Sequence, residues 1–421
     1  MNRNLVDLTN LAFGSGYVGR LCALNVLPVV AGDSMALDGY VNLRLTPFLR
    51  QLNTDVKIDV CSFYVPHRHI YGQDWIDFIK QGVDETVTFP TVAAANPYGA
   101  MHAIPWTHNR EMPLWLVQGY LNIWNRYYRP PRSDIAERVI ADGLTSFDQY
   151  GLRCANLPAI WNTGHKVADY PSDDTVPSAT TFRLTEMARE AGEWESRLNR
   201  EWKDNYYSDF MRNSFGTSIN TDADQRPLML AHTSEWVSGF DVYGTSGAAF
   251  GEALGRAQAL VQHGFPRRMF PEHGAIWTLA LVRYPSTHEN EIHYLASKPQ
   301  PTYAQIASDP AVDSVIPPAG VIASDLFRTT SAADLGIIPH GQWYRTQPNI
   351  VHNKYNEING FAFHNRVPTS LSDAVLGDTA SITPAFKSAA MLHWQTSSRF
   401  NVKCLRVSAS SGSSVYAGTK L

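Results

Sequence analysis

The closest match to a cofactor motif lies near the N-terminus, where Gly14, Gly16 and Gly19 have the GxGxxG spacing of a dinucleotide site. In such a site the glycines follow a strand and open a helix, whose N-terminal amides bind the pyrophosphate. Here the segment 20–27 reaches Pro28 after about two helical turns, and no second strand–helix unit follows it. The spacing therefore indicates a glycine-rich turn packed against another backbone.

Histidines and carboxylates supply a second set of candidates, for metal ligands or catalytic bases. His288, Glu289 and His293 resemble a zincin motif, but the second histidine comes five residues after the first, which would move it off the shared face of a helix. The tracts at 67–69 (HRH) and 271–274 (PEHG) have no partner at a diagnostic spacing. We therefore predict no catalytic residue and no cofactor, and metal binding stays open.

Paired acids and the common hydrolase and nucleotide motifs add little to this set. Asp222 and Asp224 fit a calcium site or a glycosidase pair, although carboxylates in a loop are usually only solvated. Neither a GxSxG elbow nor a P-loop pattern occurs in the chain. The sequence thus favours a protein that is not an enzyme.

Cations and aromatic rings are interleaved at 118–132, QGYLNIWNRYYRPPR. Arginines neutralise phosphates and rings stack on unpaired bases, so this mixture fits a sequence-tolerant contact with single-stranded DNA. It is equally typical of a protein–protein interface core or of ordinary packing, and these interpretations stay open. The candidate contact residues are Arg126, Tyr127, Tyr128, Arg129 and Arg132, with Arg267 and Arg268 in HGFPRRMF as a weaker second group.

Most of the elements that must position these residues are predicted to be strands. Alternating apolar and polar residues at 56–60 and 400–404 predict strands with one buried face. The continuously apolar segment 275–284, AIWTLALVRY, predicts a strand buried on both faces, and PSTHENEIHYL after it resembles a turn and a returning strand. We expect the strands to be concentrated at about 20–65 and 270–408.

Long inserted loops with a few helices are expected between these regions, at about 66–270. Loop signals occur at 129–132 (RPPR) and 169–178 (DYPSDDTVPS). Apolar residues recur three and four apart at 185–210, which predicts a helix, and a shorter helix is predicted at 74–81, before Gly82. We expect residues 1–421 to form a single all-β domain that carries these insertions.

Composition limits the function classes. Of the 421 residues 44% are hydrophobic and 11% aromatic, so the chain can bury a large core and keep apolar surface for partners. A net charge of −4 restricts any DNA contact to a local patch and leaves bulk neutralisation to a separate cationic partner.

Cysteine spacing and hydropathy bear on the compartment. The four cysteines form no CxxC pair, which favours reduced thiols in a cytosolic product. The chain shows no signal-peptide pattern, and no apolar run approaches the roughly 18 residues that span a bilayer. We therefore expect a protein that is made and used in a cytoplasm, without a membrane.

Seven runs of sequence, from about residue 10 to residue 405, resemble the major capsid protein of the Microviridae, the phiX-like single-stranded DNA phages. Each run consists of ordinary residues, but all seven occur in the family's order. They are VGRLCALNVLPVVAGDS, FYVPHRHIYGQDWIDFIKQGV, QGYLNIWNRYYR, DADQRPL, FPEHGAIWTLALVRYP, GQWYR and RFNVK.

This resemblance implies an eight-stranded antiparallel jelly-roll barrel with long loop insertions. It also implies assembly of about sixty copies into a T=1 shell around single-stranded DNA, in the cytoplasm of a bacterial host. Further partners that it implies are a small basic DNA-binding protein and scaffolding, spike and DNA-pilot proteins. The large extra loop of the gokushovirus branch has no counterpart in this chain, so threefold protrusions are not expected.

One alternative from another class is a carbohydrate-binding or carbohydrate-active β-sandwich, because exposed Trp and Tyr rings also stack on sugars. In a capsid protein the same rings would anchor subunit contacts. The candidate anchors are Trp75, Trp106, Trp115, Trp161, Trp236 and Trp343.

Overall fold

The computed structural model describes residues 3–49, 54–75, 78, 87–92, 111–129, 136–140, 150–154, 226–243, 253–285, 287–288, 290–306, 319–338, 340–345, 347–351, 367–369, 376, 379–388 and 392–407. Several predictions fall on other residues and lie outside this description. They are the helix at 185–210, residues 76, 77 and 79–81 of the helix at 74–81, Arg132, Asp222, Asp224, Glu289, Trp106 and Trp161.

Strands and short helices make up the described elements. The strands are β1 (Arg3–Asp7), β2 (Asn10–Gly16), β3 (Leu21–Val29), β4 (Ser34–Leu45), β5 (Lys57–Pro66), β6 (Thr91–Val92), β7 (Met112–Pro113), β8 (Leu228–Trp236), β9 (Ser238–Tyr243), β10 (Ala253–Met269), β11 (Gly274–Arg283), β12 (Ala319–Ile322), β13 (Asp334–Ile338) and β14 (Trp394–Val407). The α-helices are α1 (Arg68–Tyr71), α2 (Leu114–Ile123), α3 (Tyr303–Ile306), α4 (Ala323–Leu326) and α5 (Thr379–Ile382). A π-helix follows α2 at Trp124–Tyr128, and 3₁₀ turns lie at Tyr294–Ser297, Gln342–Tyr344 and Thr383–Ala385.

Two antiparallel sheets form the scaffold. In the six-stranded sheet the order is β1-β14-β4-β10-β9, and β2 also pairs with β14. In the four-stranded sheet the order is β3-β11-β5-β8. Each sheet thus pairs strands from both ends of the chain, which confirms the predicted all-β class with antiparallel sheets and helices in the insertions. The barrel's eight-strand count stays a prediction.

The main core lies between the two sheets. In β4 the side chains of Val41 and Leu43 are fully buried, whereas Tyr40 and Arg44 on the other face of the strand are exposed. From the opposite sheet, Val60 and Ile276 enter the same core. In β14 the period of two residues places one face inside, as the alternation at 400–404 predicts. At 56–60 the apolar residues face the main core as predicted, but Asp59 is also buried and the other face of β5 packs in a second core, so the prediction of a single buried face is wrong for β5.

A third layer covers the outside of the four-stranded sheet. Strand β11 sends Ile276 into the main core, whereas Trp277 points the other way, into a second core that α2 completes. At the crossing, Gly119 of α2 lies directly over the Trp277 ring, where an added Cβ would stand 2.4 Å from ring carbons. The prediction that 275–284 forms a strand buried on both faces is confirmed.

The predicted borders of the strand-rich regions need correction. Strands β8, β9 and β10 lie within 228–269, so the second region begins at Leu228 and not near residue 270. The first region begins at Arg3, since β1 and β2 precede residue 20. The expected returning strand after residue 284 is also wrong. Residues 294–297 form a 3₁₀ turn, and Glu291 makes an isolated bridge to Phe327.

Candidate nucleic-acid interface

The glycine motif at 14–19 joins two strands and opens no helix. Strand β2 ends at Gly16, and β3 begins at Leu21 where a nucleotide site requires a helix N-terminus. Gly19, with a φ of 79°, donates its N–H to the carbonyl of Val282 over 2.8 Å. The structure therefore confirms a glycine-rich turn packed against another backbone.

The aromatic tract at 118–132 begins in α2 and continues into the π-helix, Trp124–Tyr128. Two of its rings belong to the second core. Trp124 is 3% exposed and donates its Nε1–H to the carbonyl of Arg153 over 3.0 Å. Tyr128 packs against the same core, and burial raises the pKa of its hydroxyl well above the ordinary value. These rings stabilise the attachment of the helix to the sheet, which is the packing interpretation of the tract.

The other residues of the tract lie closer to the surface. Tyr127 is 36% exposed and donates its hydroxyl to the carbonyl of Pro227 over 2.7 Å. The Arg129 side chain is only 12% exposed, and its Nη2 lies 3.0 Å from Oε1 of Glu137. Arg126 is half-buried on the π-helix. Among the predicted contact residues that the structure describes in this tract, Tyr127 alone is exposed.

The second predicted group, Arg267 and Arg268, lies at the end of β10, in the other sheet. A bulge between Phe265 and Arg268 interrupts the pairing with β4, and both arginines are exposed there. Arg267 donates to the carbonyl of Ser34 over 3.4 Å. The structure therefore places the two groups in different layers and does not join them into one surface.

The two histidine tracts, separate in sequence, meet at one end of the four-stranded sheet. Arg68 forms a bidentate ion pair with Glu272, at 2.9 and 3.0 Å. The backbone N–H of His67 donates to the carbonyl of His273 over 2.9 Å. Burial, with a smaller effect of the nearby His273, lowers the pKa of His67 to about 4. His67 is therefore neutral near pH 7.

Aromatic rings surround His67. The indoles of Trp75 and Trp115 lie 4.9 and 5.2 Å from its imidazole, measured between ring centroids. This packing fixes the tract beside α1 (Arg68–Tyr71). We assign the meeting of the two tracts to structure, because an ion pair and ring packing hold them together.

The zincin-like residues serve separate structural purposes. His288 is 2% exposed and packs edge-on against Phe327, at 5.5 Å between ring centroids. His293 caps a 3₁₀ turn: its Nδ1 accepts from the backbone N–H of Leu295 at 3.3 Å, while its Nε2 lies 2.9 Å from the Trp343 carbonyl. Within the described ranges, no group of three or more His, Cys, Asp or Glu residues could hold a metal ion.

Sequence reasoning missed a buried polar group between the two sheets. His263 of β10 lies with Nε2 2.8 Å from the Ser62 hydroxyl and Nδ1 3.1 Å from the Thr233 hydroxyl, and Ser62 also contacts Thr278. Burial, with a smaller effect of His232, lowers the pKa of His263 to about 4. His263 is 1% exposed and Ser62 is fully buried, so the pair joins the sheets and is out of reach of a substrate.

Comparison with known proteins decides between the classes that this geometry leaves open. A family model described as "Capsid protein (F protein)" matches residues 1–166 and 187–414. The chain belongs to this phage capsid protein family. Capsid protein F of Escherichia phage G4 is 38% identical over 404 residues, 95% of this chain and 94% of its own length. Capsid protein F of Escherichia phage alpha3 and of Enterobacteria phage phiK are each 36% identical, and each match covers 96% of this chain and 95% of the relative.

Membership of the F family confirms the resemblance that the seven sequence runs carry. Proteins of this family are structural, so the chain is not an enzyme. This agrees with the structural roles of His67, His263, His288 and His293. Among the described residues, no helix is both long and apolar enough to cross a membrane.

Proposed function

We propose that this chain is the major capsid protein of a phage and that about sixty copies form a T=1 icosahedral shell around a single-stranded DNA genome. One observation carries the proposal: relatives named capsid protein F align with 95–96% of the chain at 36–38% identity. Assembly would take place in the cytoplasm of the bacterial host. The mature location would be the capsid of the virion.

Assembly of such a shell is a binding problem in which each copy meets several neighbours. Individual contacts can be weak, because a closed shell multiplies them. Of the candidate aromatic anchors, Trp236 is 52% exposed and supports this role. Trp343 is 2% exposed inside a small core with Tyr294, and Trp115 packs edge-on against Trp277. These two rings therefore stabilise the fold of the subunit.

The net charge of the chain supports a role for a second, basic protein in neutralising the genome. The chain has 35 Lys and Arg against 39 Asp and Glu, so it cannot neutralise a genome by itself. We therefore retain a small basic DNA-binding protein as a partner. Scaffolding, spike and DNA-pilot proteins are further proposed partners, which rest on the family resemblance.

The tract at 126–132, together with Arg267 and Arg268, stays a proposed contact surface for DNA or a neighbouring subunit. We expect Arg126→Ala with Arg129→Ala to leave the subunit folded and to lower DNA retention or particle yield. Half-buried Arg126 would act directly, whereas loss of Arg129 would release Glu137. Unchanged genome content and unchanged particle yield in this double variant would remove both roles.

Electron microscopy of the expressed chain with its phage's other proteins tests the proposed function. We expect isometric particles of uniform diameter that contain nuclease-protected single-stranded DNA. If the chain stays a monomer and forms no particles when it is expressed with these proteins, the proposal is contradicted. Retention of that monomer on a glycan column would instead support the carbohydrate-binding alternative.

A further inference from the structure

The outward face of the six-stranded sheet carries a regular array of side chains from four adjacent strands. Antiparallel pairing aligns β2, β14, β4 and β10 in register, so that their outward residues form three rows. The rows are Ser15–Gln395–Arg44–Gln258, Phe13–Ser397–Asn42–Leu260 and Leu11–Arg399–Tyr40–Gln262. We call these twelve residues the outer array.

The outer array is open to solvent. Eleven of the twelve residues are exposed, and Asn42 is partly exposed. Phe13 is 77% exposed and Leu260 68%, although phenylalanine and leucine are usually buried. Both lie on the outer face of the six-stranded sheet, whose other face packs in the main core. Their exposed side chains therefore do not stabilise the fold of the subunit.

The charge of the outer array is opposite to that of the chain. It contains two arginines, Arg44 and Arg399, and no carboxylate, within a chain of net charge −4. Arg256 extends the cationic surface, because it lies two residues before Gln258 on β10, opposite Phe240 of β9. The acids on this face, Asp7 and Asp38, pair with Lys403 and Asn401 in rows beyond the array. The array is therefore electrostatically suited to a polyanion.

The remaining side chains identify the kind of polyanion. Phe13 and Tyr40 offer ring faces to unpaired bases, and ring stacking tolerates any base sequence. Glutamine and asparagine amides, four in the array, can donate to and accept from base edges or phosphates. With strands about 4.8 Å apart and rows about 6.8 Å apart, the array spans about 14 Å each way, enough for several successive nucleotides.

A protein partner fits the outer array less well. The core of a protein–protein interface is a contiguous apolar patch surrounded by a polar rim. Here Ser397 and Asn42 separate Phe13 from Leu260, and Arg399 separates Leu11 from Tyr40. Such interleaving of polar and apolar side chains is typical of surfaces that bind single-stranded nucleic acid.

We propose that the outer array binds single-stranded DNA, with Arg44 and Arg399 on phosphates and with Phe13 and Tyr40 stacked on bases. This inference rests on the proposed function, because it assigns the inner face of the shell to the six-stranded sheet. The outer array shares none of the contact residues predicted from the sequence. Those that the structure describes lie in or next to the π-helix and at the end of β10.

Fluorescence anisotropy of the full chain with a labelled oligothymidylate of about twenty nucleotides tests the assignment. The charge variant is Arg44→Gln with Arg399→Gln. Its matched control is Arg328→Gln with Arg345→Gln, two exposed arginines outside both sheets. Loss of two phosphate contacts should lower the slope of log Kd against log salt concentration by about 1.4 relative to the control. Lysine at both array positions should restore the slope.

The ring variant separates stacking from charge. Tyr40→Ala should raise Kd about fivefold or more at constant salt slope, whereas Tyr303→Ala, at a residue 86% exposed in α3, should leave Kd unchanged. Equal Kd and salt slope in array and control variants would overturn the assignment. So would a fall in particle yield with unchanged DNA affinity, which would make the face a subunit contact. If wild-type particles form and contain DNA in that case, only the array is refuted, and the capsid function stands.

Discussion

Acidification should destabilise the subunit through buried histidines, and His393 makes this effect measurable. His393 is fully buried, and its Nδ1 accepts the backbone N–H of Val18 over 3.3 Å. Its Nε2 lies 3.1 Å from the Thr383 hydroxyl, which itself donates to the carbonyl of Thr379. A second proton would have to go onto Nδ1, where the N–H of Val18 already points at the lone pair. The ring is therefore held in its neutral form.

Burial, with a smaller effect of the nearby Arg20 cation, lowers the pKa of His393 from 6.5 to about 3. The unfolded chain therefore takes up a proton near pH 6.5, and the folded chain takes it up only near pH 3. Stability is complete above pH 6.5 and falls as the pH drops through this window. At 1.36 kcal/mol per pH unit, the loss from His393 reaches about 2.7 kcal/mol at pH 4.5.

His263 and His67, each with a pKa lowered to about 4, should each add a loss of about 2.5 kcal/mol at pH 4.5. Urea unfolding followed by tryptophan fluorescence at pH 7 and pH 4.5 should thus show a total loss of about 7.5 kcal/mol. His393→Gln keeps an acceptor for Val18 and a donor for Thr383 but cannot be charged. Its loss between the two pH values should be about two thirds of that of the wild type.

His293→Gln is the matched control, since His293 is a partly exposed residue that caps a turn outside both sheets. We expect its loss of stability between pH 7 and pH 4.5 to equal that of the wild type. If His393→Gln also loses as much as the wild type, protonation of His393 does not drive the destabilisation.

Two further predictions concern packing and charge inside the subunit. Gly119→Ala should lower the free energy of unfolding by about 1–3 kcal/mol, because its Cβ would press on Trp277, whereas Gly239→Ala, with its nearest atom at 3.9 Å, should behave like wild type in the same urea titration. Asp33→Asn should cost about 2–3 kcal/mol in thermal or urea unfolding, because the fully buried carboxylate pairs with Arg406 and accepts from the Val30 N–H. Glu137→Gln, whose carboxylate is 59% exposed, should cost less than about 1 kcal/mol.

The strands that can be predicted are those with a strong local hydrophobic pattern. β14 alternates apolar and polar residues and β11 is continuously apolar, and the sequence predicts both. β10 has the burial period of β14, but its buried positions include His263, and its exposed positions include Leu260. Hydrophobicity therefore alternates weakly along β10, although burial alternates strictly. Pairing with β4 on one side and β9 on the other forms this strand, and no local pattern reports that pairing.

For the aromatic tract at 118–132, the sequence does contain a local signal that identifies the buried residues. Val117, Tyr120, Trp124 and Tyr128 are spaced three and four apart, as the buried stripe of a helix requires. That spacing predicts a packing role for Trp124 and Tyr128 and leaves Tyr127 and the arginines outside the stripe. Composition alone, rings interleaved with arginines, cannot distinguish a buried stripe from a contact surface.

The outer array depends on strand register, which the sequence does not state locally. Its rows join segments from both ends of the chain with one near residue 260, and each segment contributes at most one arginine to the array. The register is fixed from the other face, where Val41, Val261 and Phe400 must enter the core together. A slip of one residue would expose that core and bury Arg44 and Arg399. Core packing therefore determines which cations and rings meet on the outer face. A change in register would abolish the array even if none of its residues were substituted.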